Sequence, residues 1–264
     1  DPPSLQSVVY LMPWVTEIGQ DWMRGCQSLT KMNCIGLDSL ERVGNYWMYR
    51  CPMLREPLFQ GLSSLKNVGS DWMCMCASIQ SPDFIGLENL HSVGDSWMSS
   101  CPMLVNPRFR GLSSLDKVGK DWMCSCDSLQ SPNFNGLGTL KTIENGWMYR
   151  CHVLQTPNFI GLENLYSVGE GWMARCPMLV SPLFRGLSSL DTVGHFWMHK
   201  CNSLQTPDFG DLGNLRIVKR HWMSECNDLR TPVFNGLGKL YEVGDYWMSG
   251  CRMLYNPLFQ GLSS

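Results

Sequence analysis

Ten cysteines recur at a constant interval of 25 residues and are the side chains of this sequence best suited to chemistry. They run from Cys26 to Cys251. Regularly spaced thiols could bind a metal, form disulfides or act as nucleophiles. A fixed period of this length, however, predicts that equivalent residues stack about 5 Å apart in successive coils. Stacked residues aim their Cβ atoms alike, which is poor disulfide geometry, so we expect a column of small buried hydrophobic residues.

The remaining candidates for metal or catalytic chemistry are few. Cys74 and Cys124 form C-x-C pairs with the repeat cysteines that follow them, and His195 and His199 are four residues apart. Neither arrangement supplies the third and fourth ligands of a zinc site. The sequence contains no phosphate-binding loop, zinc-protease motif or nucleophile elbow, and no carboxylate pair recurs. These observations predict a protein that is not an enzyme and has no metal or cofactor.

The same 25-residue interval governs the elements that must position these side chains. Ten Trp-Met pairs, from Trp22-Met23 to Trp247-Met248, follow it without interruption. Starting from the cysteine, the consensus is C-x-x-L-x-x-P-x-F-x-G-L-x-x-L-x-x-V-G-x-x-W-M-x-x. Repeats of this length indicate a solenoid whose units stack on one another. The Phe and Trp columns could stack bases or sugars, but they are in phase with the leucines, so we expect them to form the core.

Two segments of each repeat have distinct apolar spacing. In L-x-x-P-x-F the last step has the period of a strand, whereas L-x-x-L-x-x-V is spaced by threes, which suits a tight helical return. We therefore predict an α/β-type leucine-rich repeat solenoid of about ten 25-residue coils, with a concave parallel sheet of short strands and tight helical or 3₁₀ convex returns. The alternative, one helix per repeat, conflicts with a recurrent Gly and a recurrent Pro.

The pattern resembles the BspA-like leucine-rich repeats of bacterial and protist proteins, many of which are on cell surfaces. In one repeat the resemblance rests on Cys76, Ile79, Val93-Gly94, Trp97-Met98 and the following Cys101. Trp-Met replaces the usual Ala-Phe-like pair, the repeat is about two residues longer, and Pro lies in the predicted strand. Because Pro cannot donate to a strand ladder, each coil should lose one inter-strand hydrogen bond. The resemblance implies a recognition function at the cell surface.

The repeat pattern also divides the chain. Residues 1–25 fit the consensus only in their second half, so we expect an N-terminal cap or degenerate repeat there. Residues 26–264 form the tandem array, whose last repeat is incomplete, which suggests a larger polypeptide. A net charge of −2 with a pI near 6.2 gives no reason to expect a nucleic-acid partner. No apolar run is long enough to cross a bilayer, so we expect no membrane insertion by this segment.

The variable positions of a constant repeat are where a partner would bind. We expect the residues around the strand Pro and Phe to face the concave side and contact a protein or glycan partner. The candidate contact residues are Asp83, Arg108, Arg110, Asn133, Asn158, Arg185, Asp208 and Arg230. The alternative is that these positions are unconstrained surface. A basic cluster that includes Arg216, Lys219 and Arg220 could also contact an anionic partner, although such a run is usually solvated surface.

Together these features predict a non-catalytic recognition module, extracellular or on the cell surface, that acts as an adhesin or receptor. Free thiols and the absence of N-x-[ST] sequons fit an alternative, an intracellular scaffold or structural component of a larger assembly. A third possibility is a recognition arm attached to an enzyme outside this sequence.

Overall fold

The computed structural model describes residues 7–8 and 12–255, which contain thirteen short strands. Most of the outer half of the predicted cap, and residues 256–264 of the incomplete last repeat, lie outside the described residues. In chain order the strands are β1 (Ser7–Val8), β2 (Glu17–Ile18), β3 (Lys31–Asn33), β4 (Arg42–Val43), β5 (Glu56–Leu58), β6 (Asn67–Val68), β7 (Ser92–Val93), β8 (Lys117–Val118), β9 (Thr142–Ile143), β10 (Ser167–Val168), β11 (Thr192–Val193), β12 (Ile217–Val218) and β13 (Glu242–Val243).

Ten of these strands form one parallel sheet in which each repeat contributes one strand. The order is β13-β12-β11-β10-β9-β8-β7-β6-β4-β2, so neighbours in the sheet are successive repeats, which we call rungs. The register is constant: Val68 pairs with Val93 and Val93 with Val118. The ten strands enclose about nine turns of a parallel solenoid of the leucine-rich repeat type. The predicted solenoid is therefore confirmed.

The continuous sheet does not lie where the sequence predicts it. It occupies the end of the L-x-x-L-x-x-V segment, whereas the L-x-x-P-x-F segment forms a sheet only in β1, β3 and β5 and isolated bridges farther along. Pro explains this difference. Its carbonyl accepts a bond from the next rung, as when Arg108 N donates to Pro82 O at 2.9 Å, but Pro has no N–H to donate in return. The Pro segments therefore stay extended with few ladder bonds.

The prediction of helical or 3₁₀ returns is wrong, because residues 12–255 contain no helix of either kind. The spacing by threes instead reflects consecutive β-turns. Leu62 N donates to Phe59 O at 3.2 Å and Leu65 N donates to Leu62 O at 2.9 Å, so each turn ends on the apolar residue that starts the next one. A chain that bends every three residues directs the same columns inward as a tight helix would.

The core consists of continuous columns of identical side chains. Trp47, Trp72 and their equivalents through Trp222 are fully buried, as are the leucines between them. Indole rings of adjacent rungs lie 5.1–5.5 Å apart and nearly parallel. The Phe rings stack at 5.3–5.9 Å and meet the indoles edge to face. Both aromatic columns are therefore core, as predicted from their phase with the leucines.

The Trp-Met turn has an unusual backbone in which alternate residues are left-handed. In one rung these residues are Asp71, Met73 and Met75, with φ between 52° and 63°. The conformation is uncommon for residues other than Gly. It directs the N–H groups of alternate residues to different neighbouring rungs: Asp71 N donates to Asp95 O of the next rung, and Met73 N donates to Trp47 O of the preceding one. The turn thus extends the inter-rung bonding beyond the sheet.

Candidate functional site

The candidate surface is formed by the exposed side chains beside the repeat Pro and Phe, and we call it the Pro face. Pro57 and Phe59 are buried, whereas Glu56, Leu58 and Gln60 are exposed. This alternation is that of an extended segment whose second face is free for contact. Bridges from Asp83 to Arg108, and from Asn158 through Leu183 and Asp208 to Val233, align the residues after Pro along the solenoid.

Four of the predicted contact residues lie together in three consecutive rungs. Arg110 Nη2 donates to Asp83 Oδ2 at 2.7 Å across neighbouring rungs. Arg108, Arg110 and Asn133 line a surface depression of about 330 Å³. The pair of guanidinium groups and the amide offer several hydrogen-bond donors in one place, which suits a ligand with carboxylate or hydroxyl oxygens.

Asn106 and Asn135 line the same depression but were not among the predicted contact residues. Asn135 follows Phe134 and so belongs to the same variable column as Arg110, whereas Asn106 precedes Pro107 and belongs to a column that contributes none of the predicted contact residues. Their signal in the sequence is the coincidence of five polar residues beside Pro and Phe in two adjacent repeats. The depression is therefore more amide-rich than the predicted set implies.

The other predicted contact residues are spread along the Pro face. At about 5 Å per rung, Asp208 lies roughly 25 Å from Asp83, and Arg185 lies three rungs from Arg110. Arg230 belongs to a different column, two positions before the repeat Pro, where its N–H donates to Gln205 O at 2.9 Å. The eight residues therefore form no single compact site, although one extended partner could span several of them.

Three of these residues also have a local structural function. The side-chain oxygens of Asn133, Asn158 and Asp208 each accept a hydrogen bond from the backbone N–H two residues later, at 2.9, 3.2 and 2.9 Å. Such Asx-type turns account for Asn or Asp at these positions without any partner. The arginines make no comparable local turn, so Arg108 and Arg110 are the stronger indicators of a contact.

The cysteine column is structural. All thirteen cysteines are free, and the repeat thiols donate to the Met carbonyl 28 residues earlier, as Cys101 Sγ does to Met73 O at 3.1 Å. Burial raises the pKa of Cys101 and Cys151 to about 12. A thiol with so high a pKa is almost entirely protonated at neutral pH and is a poor nucleophile.

The two histidines at i, i+4 also have ordinary partners. His199 Nδ1 lies 2.7 Å from Ser224 Oγ, and His195 Nδ1 accepts from Arg220 N at 3.2 Å. Burial lowers the pKa of His199, which favours its neutral form. Within residues 12–255 no three His, Cys, Asp or Glu side chains converge as metal ligands.

The basic cluster is paired with acidic residues of adjacent rungs. Lys219 Nζ lies 2.6 Å from Glu242 Oε1, and Arg220 Nε lies 3.2 Å from Asp245 Oδ2. Arg216 likewise pairs with an acidic residue, Asp191. These exposed pairs add little stability, but they offset the positive charge that an anionic partner would need.

Comparisons with known proteins agree with the repeat geometry. The family model described as a BspA type leucine rich repeat region with 6 copies matches residues 4–130 and 116–255. No curated protein matches significantly. Residues 12–255 contain no helix that is long and apolar enough to cross a membrane.

Solved structures of bacterial leucine-rich repeat proteins align with most of this chain at low sequence identity. A leucine-rich repeat protein from Bacteroides ovatus is 15% identical with a TM-score of 0.43, and the alignment covers 96% of this chain and 88% of that one. The leucine-rich repeat protein of T. pallidum is 20% identical with a TM-score of 0.45 and 72% coverage of each chain. A leucine rich cell surface protein from Faecalibacterium prausnitzii is 16% identical with a TM-score of 0.30, covering 94% and 83%.

Proposed function

The chain belongs to the BspA-type leucine-rich repeat proteins, and from this premise we propose that it is a non-catalytic module that recognises a protein or glycan partner through the Pro face. Leucine-rich repeat proteins are generally interaction modules. The observation that carries the proposal is the donor-rich depression at Arg108, Arg110 and Asn133 on the Pro face. We expect the Pro face to be the concave side of the solenoid, where an extended partner would contact several rungs.

The chemistry of the depression favours a partner with oxygen acceptors. Arg108 is exposed, and Arg110 is held in place by Asp83, so its guanidinium is oriented before a partner arrives. A donor group that is already oriented loses less conformational entropy on binding. Carboxylates of a protein or hydroxyls of a glycan would satisfy this arrangement.

Reversing the charge at Arg108, Arg110 and Arg185 should weaken binding about tenfold to a hundredfold without unfolding the array. The triple Arg→Glu variant and the wild type would be compared on glycan and protein arrays, and affinities would be measured by calorimetry for each ligand found. A matched control reverses Lys120, Lys141 and Arg150, which are exposed on other columns, and changes the net charge equally. Equal affinity of the triple variant and the wild type would place the contact away from the Pro face.

We also propose that the protein acts at the cell surface as an adhesin or receptor, by analogy with the family. The second candidate, an intracellular scaffold, is favoured by the thirteen free cysteines, which form no disulfide. Brief protease treatment of intact source cells, followed by mass spectrometry, separates the two. Peptides of the array should be released before lysis if the protein is exposed. Protection until lysis would contradict the surface location and support the scaffold.

A further inference from the structure

A second surface feature lies in the column that precedes the repeat Trp, which we call the pre-Trp column. All ten of its members are left-handed, with φ between 56° and 79°. The column reads Asp21, Tyr46, Asp71, Ser96, Asp121, Gly146, Gly171, Phe196, His221 and Tyr246. Because non-glycine residues adopt the same backbone at eight positions, the two glycines are not required by the turn.

The C-terminal end of the pre-Trp column is a stack of aromatic rings at the surface. The Phe196 and His221 rings lie 4.7 Å apart at 8°, and the His221 and Tyr246 rings lie 4.7 Å apart at 7°. This spacing equals the separation of parallel strands, so one ring fits each rung. The stack stops at Phe196 because the next position toward the N-terminus is Gly171.

The two glycines leave a cleft of about 340 Å³ beside Phe196. A Cβ atom added to Gly171 would have no neighbour closer than Tyr149 Cδ2 at 3.7 Å, so this rung is open. A Cβ atom added to Gly146 would overlap Asp121 Oδ1, which shows that the Asp121 carboxylate leans over that rung. The open space is therefore bounded by an aromatic ring on one side and a carboxylate on the other.

The lining of the cleft favours a cation. Asp121 and Glu170 contribute two carboxylates against the single guanidinium of Arg175. Burial raises the pKa of the Asp121 carboxyl, so this group gains from a positively charged partner. His199 also lines the cleft, but burial lowers its pKa and favours the neutral form, so it adds little positive charge.

We propose that this cleft binds a small arylalkylamine, whose planar aromatic ring stacks on Phe196 in the Gly171 rung and whose ammonium group faces the Asp121 carboxylate. The volume is that of a small-ligand pocket. The ring of the ligand would occupy the place that a fourth aromatic residue of the stack would have taken. The site is separate from the Pro face, because it is formed by the Trp-Met turns of neighbouring rungs and not by the residues beside the repeat Pro and Phe.

The proposal can be tested with tryptamine as the probe, using saturation-transfer NMR on the whole chain. Tryptamine should bind at millimolar concentrations or below, whereas indole-3-acetate, with the opposite charge, and cyclohexylethylamine, without an aromatic ring, should bind much more weakly. Equal binding of tryptamine and cyclohexylethylamine would contradict stacking on Phe196. No binding of tryptamine to the wild type would overturn the proposal.

Variants locate the site. Gly171→Phe should fill the cleft and abolish tryptamine binding, while Ser96→Phe, at an equivalent left-handed position outside the cleft, should leave binding unchanged. Phe196→Ser should abolish binding by removing the platform, and it keeps the test decisive if Gly171→Phe fails to fold. Asp121→Asn should weaken binding about tenfold. Wild-type affinity in folded Gly171→Phe or in Phe196→Ser would show that tryptamine binds elsewhere.

Discussion

Trp122→Ala is expected to lower the free energy of unfolding by about 3–5 kcal/mol, because it removes a large buried side chain from the middle of the core. The indole is fully buried and lies between Trp97 at 5.4 Å and Trp147 at 5.5 Å. In a solenoid each rung contacts only its neighbours, so a cavity here weakens the coupling between the two halves of the array. Urea denaturation followed by far-UV circular dichroism should show a lower midpoint and a broader transition.

Two further variants separate packing from other effects of the substitution. Trp14 is 75% exposed, so Trp14→Ala should change stability by less than about 0.5 kcal/mol. Trp122→Phe should cost clearly less than Trp122→Ala, because it keeps an aromatic ring and removes an indole N–H that has no hydrogen-bond acceptor in the structure. A Trp122→Ala midpoint equal to that of Trp14→Ala would show that the tryptophan column is not the core.

The column contents could be predicted from the sequence because burial follows directly from periodicity. Any residue that recurs every 25 positions occupies the same place in each rung, so the Trp, Phe, Leu and Cys columns were assigned to the core without knowledge of the path between them. The path itself could not be predicted. Spacing by threes is shared by a 3₁₀ helix and by consecutive β-turns, and only the hydrogen bonds, such as Leu62 N to Phe59 O, distinguish the two.

Neither the position of the sheet nor the conformation of the Trp-Met turn could be predicted from the conformational preferences of single residues. β6, for example, consists of only Asn67 and Val68, which is too short to show the alternation of polar and apolar residues by which a strand is recognised in a sequence. Met73 adopts a left-handed conformation that is uncommon for residues other than Gly, so residue preferences do not predict it. It is stabilised by inter-rung hydrogen bonds, such as Met73 N to Trp47 O, that exist only once the rungs are stacked.

The depression on the Pro face and the cleft at Gly171 also differ in how far the sequence reveals them. Arg108 and Arg110 were identifiable as variable residues beside a constant Pro and Phe, and their convergence with Asn133 follows from the stacking of rungs. The cleft at Gly171 was not identified, although two consecutive glycines in an otherwise side-chain-bearing column were visible. Their meaning depends on two structural facts: non-glycine residues adopt the same left-handed backbone at the other eight positions, so the turn does not require Gly, and aromatic rings stack up to Phe196.

Gly111→Ala is expected to destabilise the array by roughly 2–5 kcal/mol, through backbone strain and a clash between rungs. Gly111 has φ of +90°, and a Cβ atom there would overlap the carbonyl oxygen of Phe84 and lie 2.8 Å from Ile85 Cα. Both contacts are with backbone, which no rotamer change can relieve. The same geometry recurs at Gly86 and Gly136 in the adjacent rungs, so these glycines set the close approach of successive coils.

The matched control is Gly138→Ala, in which no atom lies within 4 Å of the added Cβ. Without strain, this change should be neutral or slightly stabilising, because alanine restricts the unfolded chain more than glycine does. The urea midpoint of Gly111→Ala should therefore fall below that of the wild type, whereas the midpoint of Gly138→Ala should stay the same or rise slightly. Asp211 occupies the position of this glycine in its own repeat, and its φ is not positive, so its backbone leaves the conformation that Gly111 adopts. Equal stability of Gly111→Ala and Gly138→Ala would contradict this prediction. It would show that the backbone at residue 111 can leave the positive-φ conformation, as it does at Asp211, and that the close approach of the coils at this glycine does not limit their spacing.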